Sequence, residues 1–341
     1  MRSQRILVLM HETLVPPENL QGYSPQQIEE FRTEYDVVKQ LKASGNEVQC
    51  LGLGDDLAAL RNAITEWKPY VAFNLLEEFQ GIVSYDQHVV AYLELMRQPY
   101  TGCNPRGLMI SRDKALSKQI LAYHRVLTPR FAVLPKGKHF AVPRKLQFPL
   151  FVKSVSDDAS LGISQASLVN DVARLKERVE FIHEQTGSAA LVEEFIAGRE
   201  LYVGITGNER LITYPVWELS FGTSASEQHG FATRRMKGDA RYRDKHGIDS
   251  HAASGLSASF DAYISKLSKR IYRALSLSGY ARLDFRLTAD NKLYVLEANA
   301  NPCLSADEDF AVSAAAMGDD YATLLKQIIR FGNGYKVAWR Q

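Results

Sequence analysis

Through its N-terminal third the chain alternates short apolar runs with amphipathic stretches, and this alternation restricts the fold more than any other feature. Residues 5–10 read as a buried strand. Ser24, Pro25 and Gln27 then supply a capping hydroxyl, a proline at the first helical position and a capping-box glutamine. Ile28, Phe31, Val37, Val38 and Leu41 follow at roughly helical spacing, and Gly45 stops that helix. Residues 48–53 and 70–75 read as further strands, and 86–96 as a helix with Val89, Val90, Leu93 and Met96 on its apolar face. Strands alternating with helices predict a parallel sheet covered on both sides, so the fold class is α/β here.

The pattern then changes to α+β. A helix is expected over 111–124, strands over 131–134 and 149–153, and a helix over 167–184. Strands at 190–195, 201–206 and 211–216 precede a polar loop, a helix over 261–276, a hairpin, and a closing helix over 321–330. The implied division is 1–107, 108–189 and 190–341. A chain of 341 residues is long enough for several packed units.

Composition narrows the partners. Hydrophobic residues make up 45%, charged residues 23%, and the formal net charge is +2, so neither nucleic acid nor an anionic membrane is called for. Cys50, Cys103 and Cys303 lack paired spacing, which fits a reducing cytoplasm better than a disulfide framework or zinc site. The apolar run behind the basic start is too short for a signal peptide core, and no stretch is long enough to span a bilayer.

The hairpin carries the first chemical signal. Residues 280–287 and 292–298 alternate with period two around Asp290-Asn291, taken as a two-residue turn. That register sets Asp284 opposite Glu297 and Arg282 opposite Asn299. Leu283, Phe285 and Leu287 then meet Ala298, Leu296 and Tyr294 on the other face. Facing carboxylates repel unless a cation lies between them, and carboxylate and amide oxygens suit Mg2+. A solvated strand face is the other reading of the hairpin alone.

Four groups of motifs along the chain, the hairpin strands among them, carry a wider signal. Phe148-Pro-Leu-Phe-Val-Lys153 followed by Ser160-Leu-Gly162 resembles the strand, lysine and glycine-rich loop of ATP-grasp enzymes. Val192-Glu193-Glu194-Phe195-Ile196 with Gly198-Arg-Glu200 resembles their adenine hinge and ribose acid. Ala281-Arg-Leu-Asp284-Phe and Leu296-Glu297-Ala-Asn299-Ala-Asn301-Pro302 resemble their metal-binding strands. Tyr100-Thr-Gly102 and Arg112-Asp113-Lys114 are similar to the D-alanine–D-alanine ligase branch in particular.

The resemblance implies an ATP-dependent carboxylate–amine ligase working through an acyl-phosphate and releasing ADP and phosphate. Its fold would be an ATP-grasp behind an N-terminal α/β domain. ATP would be held by Lys114, Lys153, Ser160, Glu193, Glu194, Phe195, Ile196 and Glu200. Mg2+, with Mn2+ as the alternative ion, would sit on Asp284, Glu297 and Asn299. Arg282 and Lys237 would be the catalytic cations, with Arg234, Arg235, Arg241 and Arg243 competing with Lys237 for the γ-phosphate. Related ligases are often homodimers. A phosphotransferase with no amine step and a nucleotide-binding regulator are the alternative readings.

Departures from the branch concern the substrates. Asn74-Leu-Leu-Glu77-Glu78 replaces a glycine-rich segment, Cys303 replaces a glycine, and Ser305, Asp307, Glu308 and Asp309 replace serines. Glu77, Glu78, Asp307 and Glu308 are candidates for holding an amino acid's ammonium, and Cys303 for lining the acyl pocket. That the four are merely surface acids is the equal alternative. His11 and Glu12, at the end of the first strand, read as a solvated loop or as substrate contacts.

Overall fold

The computed structural model describes residues 3–156, 163–221, 231 and 247–337. Three sheets organise them. β1 (Arg5–His11), β2 (Glu47–Leu53) and β3 (Val71–Asn74) form a parallel sheet in the order β2-β1-β3. β4 (Phe131–Leu134), β5 (Leu150–Ser154), β6 (Leu168–Val169) and β7 (Ala190–Glu194) form a second, antiparallel sheet ordered β4-β7-β5-β6. The third contains β8 (Arg199–Thr206), β9 (Ile212–Thr213), β10 (Trp217–Ser220), β11 (Asp249–Ala252), β12 (Tyr280–Leu287) and β13 (Leu293–Ala300). Its order is β11-β10-β8-β12-β13, with β9 beside β8. β7 pairs with β4 and β5, so Ala190–Glu194 belongs to the second sheet.

Helices start where cap chemistry predicts. Ser24 and Gln27 form the reciprocal capping box of Pro25–Glu30. The single helix expected there is interrupted at Phe31, whose buried ring packs edge-on against Tyr23, and resumes as Arg32–Ala43. The helix expected over 111–124 is two helices. Asn104 caps Pro105–Arg112 and Asp113 caps Lys114–Tyr123, its Oδ1 accepting from the Leu116 N–H at 2.8 Å. Leu168, expected on a helix, lies on β6, and Asp171 caps the helix Val172–Thr186 behind it. The run expected as one strand over 211–216 is only the short β9, with β10 following it.

The cores link the sheets. Ile6, Val8 and Met10 of β1 share one cluster with Leu324, Leu325, Ile328 and Ile329 of the helix Tyr321–Gly334. The C-terminal helix therefore packs under the N-terminal sheet. No helix among the described residues is long and apolar enough to cross a membrane.

Candidate active site

The site lies between the second and third sheets. Pairing of β8 with β12 places Glu200 opposite Arg286 and Tyr202 opposite Asp284. Pairing of β12 with β13 places Asp284 opposite Glu297 and Arg282 opposite Asn299. Period-two alternation turns these seven side chains to one face. The other face is apolar, with Leu283, Phe285 and Leu287 meeting Ala298, Val295 and Leu293.

Two of the apolar partners differ from those expected, for a physical reason. Thr288 pairs with Lys292, so the turn holds Ala289, Asp290 and Asn291, with Asn291 at φ +60°. One residue more in the turn shifts the register of the lower half. A β-bulge at Leu296 shifts it back, so Asp284 still meets Glu297. The bulge also turns Leu296 into the cleft beside Glu297 instead of onto the greasy face.

Lys153 on β5 reaches across from the second sheet. Its Nζ lies 2.9 Å from Glu193 Oε1 and 4.0 Å from Glu297 Oε2. Burial works against its charge, but Glu193 and Glu297 outweigh this and raise its pKa. Glu193 is held by two lysines, since Lys118 Nζ lies 3.0 Å from its Oε2. Burial alone would raise the Glu193 carboxyl; Lys118 and Lys153 hold it below the usual range. Sequence reasoning missed Lys118, which is only 2% exposed. A signal was present: Lys114, Ser117, Lys118 and Leu121 share the buried stripe of one helix, an odd place for two lysines.

Glu200 is fixed on both oxygens. Tyr202 Oη donates to Oε1 at 2.7 Å and Arg286 Nη2 to Oε2 at 2.8 Å. Asp284 accepts a fork from Arg282, at 2.8 and 3.0 Å, and a third bond from Asn299 Nδ2 at 2.9 Å. Burial disfavours the Arg282 charge, yet Asp284 holds its pKa well above the ordinary value. The guanidinium stacks 4.6 Å over the Tyr202 ring.

Glu193, Glu194, Phe195 and Ile196 line the cleft with Phe151, Pro129 and Phe231, giving it an apolar slot beside its charged end. The Glu194 carboxylate turns away to Arg130, 2.8 Å from its Nε, and to the Gln147 N–H. Lys114 is buried at the start of its helix, its N–H bonded to Val155 O just beyond β5. Ser160, Lys237, Arg234, Arg235, Arg241 and Arg243 lie outside the described residues.

The candidate substrate acids divide. Asp307 pairs with Arg32 at 2.8 Å and remains largely in solvent. Glu308 stands at the N-cap position of the helix Asp309–Ala316 with no side-chain capping bond, and Cys303 is tied to Thr33 and Ser305 at 3.2 and 3.3 Å. Burial pushes the Cys303 thiol up to about 11, which favours the neutral thiol at pH 7. His11 lies 3.5 Å from Glu78. Glu77 is reachable by water, and the protein around it raises its carboxyl against the pull of Arg112. Glu34 was not anticipated. It is 6% exposed, and burial, with a further push from Glu77, raises it to about 7.

Among the described residues no three His, Cys, Asp or Glu side chains gather as a metal-ligand set. The available donors are two carboxylates and an amide. Mg2+ ordinarily takes one or two carboxylates and completes its shell with water and phosphate oxygens, so this donor set fits it.

Residues 116–330 match the family model described as D-ala D-ala ligase C-terminus. The chain is 30% identical over 270 residues to an uncharacterized protein, y4sG, of Sinorhizobium fredii, covering 77% of this chain and 76% of that one. It is 30% identical over 240 residues to a D-alanine–D-alanine ligase of Bordetella petrii, covering 70% and 69%. The crystal structure of a D-alanine–D-alanine ligase from Bacillus anthracis complexed with ATP superposes with a TM-score of 0.74, at 25% identity over 97% of each chain.

Proposed function

Because the chain belongs to the D-alanine–D-alanine ligase family of ATP-grasp, carbon–nitrogen bond-forming ligases, we propose that it joins an amino acid or small peptide carboxylate to an amine. The observation that carries the reading is the meeting of Lys153 with the Asp284–Glu297 pair across the cleft between two sheets. ATP would lie with its adenine in the apolar slot by Phe151 and Ile196, its ribose at Glu200 and its phosphates toward Lys153 and Lys114. Asp284, Glu297 and Asn299 would hold Mg2+, which would neutralise negative charge as it develops on the phosphates.

A carboxylate oxygen attacks the γ-phosphorus, ADP leaves, and an acyl-phosphate results. The amine then attacks the acyl carbon and loses a proton, and phosphate departs with the bonding pair, leaving the amide. Arg282, held in place by Asp284 and Tyr202, stabilises the negative charge that gathers on the acyl oxygen. Water must be kept from the acyl-phosphate for the amine to react with it first. Glu34, Glu77 and Glu78 favour a cationic group at the substrate end, such as an ammonium.

The test is ADP release from ATP and Mg2+ over pairs of amino acids, with mass detection of the product. ADP release that needs both partners and yields a condensed product supports the ligase reading. A stable phosphorylated product from one substrate alone would refute it.

A further inference from the structure

A bulged strand leaves backbone groups out of its ladder, and a buried carbonyl left out needs another donor. At the β13 bulge the Leu296 carbonyl accepts from Lys118 Nζ at 3.0 Å. The same ammonium pairs with Glu193, which in turn pairs with Lys153. Glu297, the next residue after the bulge, faces Asp284 and lies 4.0 Å from Lys153. One lysine from the helix Lys114–Tyr123 thus ties together the acid that anchors the phosphate-side lysine and the backbone that presents Glu297. Burying an ammonium this deeply is costly unless it is paired and fully hydrogen-bonded, and both partners lie in the candidate site.

We propose that Lys118 is a positioning residue that clamps the Leu296 bulge and so sets Glu297 against Asp284. This rests on the reading of that pair as the Mg2+ site. Lys118 is not among the residues that line the cleft; it acts through the Leu296 carbonyl and, by way of Glu193, on the direction of Lys153. A purely structural lysine would contribute to folding and leave metal affinity alone.

The test uses the full chain with ADP and Mn2+ as the probe, reading free Mn2+ by electron paramagnetic resonance beside a thermal unfolding scan. Removing a group that orients a metal ligand typically weakens metal binding by about 10–100-fold. Lys118→Met, which leaves the Leu296 carbonyl without a donor, is expected to weaken Mn2+ binding about tenfold at a temperature where it is still folded. Lys118→Gln loses the charge but keeps an N–H donor for that carbonyl, so it is expected to stay within about threefold of the parent. A tenfold loss in Lys118→Gln, or unchanged affinity in folded Lys118→Met, overturns the clamp. If Lys118→Met does not fold, Lys118→Leu, read below its own unfolding transition, takes its place with the same roughly tenfold loss expected. If the parent chain binds no Mn2+ with ADP, the metal-site reading fails instead.

Discussion

Asp284 meets Glu297 through two offsets that cancel: a turn one residue longer than the sequence suggested, and a bulge at Leu296 that restores the register. Two carboxylates brought face to face on neighbouring strands destabilise the fold in the absence of a counter-charge. Here the Arg282 fork and Lys153 supply part of it.

Glu297→Gln separates function from folding. The amide keeps the shape and removes the repulsion, so the unfolding temperature is expected to hold or rise. Losing a charged metal ligand costs several kcal/mol of transition-state stabilisation, so kcat/KM should fall about a thousandfold. The Mg2+ concentration for half-maximal activity should rise as well. A variant with near-parent activity and an unchanged Mg2+ response would remove Glu297 from the metal site.

Lys153→Met tests the phosphate side. Lys118 still pairs with Glu193, so that acid keeps a cation and the fold should survive. The nucleotide loses a fixed cation, and a loss of about 10²–10³-fold in kcat/KM is expected, with a raised KM for ATP. Steady-state ADP release decides it; an unchanged KM with parent-level turnover would contradict the assignment.

The strands that build the site were legible because period-two alternation and the order of four motifs survive small errors of register. The turn length was not. Asn291 adopts a left-handed conformation without glycine, so nothing in Ala289-Asp290-Asn291 separated a two-residue from a three-residue turn. Lys118 was missed because its partners are a distant glutamate and a backbone carbonyl, and pairing across sheets has no local pattern. Glu34 was missed for a similar reason: it lies on the helix Arg32–Ala43 like any polar residue, and the charge it faces, Glu77, comes from a distant part of the chain. The helix Pro105–Arg112 had its signal in Asn104-Pro105, a cap followed by proline, which the apolar periodicity of the next helix overrode.

Arg286 and Glu200 form a buried pair, 3% and 5% exposed, and the guanidinium also donates to Gly198 O at 3.0 Å. Arg286→Met strips the cation from an acid that stays buried, which costs about 3–5 kcal/mol of stability. The double variant Arg286→Met with Glu200→Leu removes both charges and should regain most of that loss. ATP affinity should stay low in the double variant, because the acid proposed for the ribose is gone. Unfolding by urea and calorimetric titration with ATP distinguish the two effects; normal ATP binding in the double variant would exclude Glu200 from the nucleotide site.

Glu34 gives the chain a pH dependence of definite sign. Its folded carboxyl titrates at about 7 against an ordinary 4.5, so between those values the folded chain holds a proton that the unfolded chain has lost. Stability from this group is complete below 4.5, falls as pH rises, and is gone above about 7, a change of about 3 kcal/mol. Glu34→Gln removes the titrating group, so the variant should be more stable than the parent at pH 8 and gain little at pH 4.5. A substrate ammonium seated between Glu34 and Glu77 would relieve the same penalty, so the correct amine should raise the parent's unfolding temperature more at pH 8 than at pH 6. Thermal scans at the two pH values check both statements. A Glu34→Gln chain no more stable than the parent at pH 8 would mean that the carboxylate already has a compensating partner in the folded chain, and the substrate end would then need its cation less than its acids suggest.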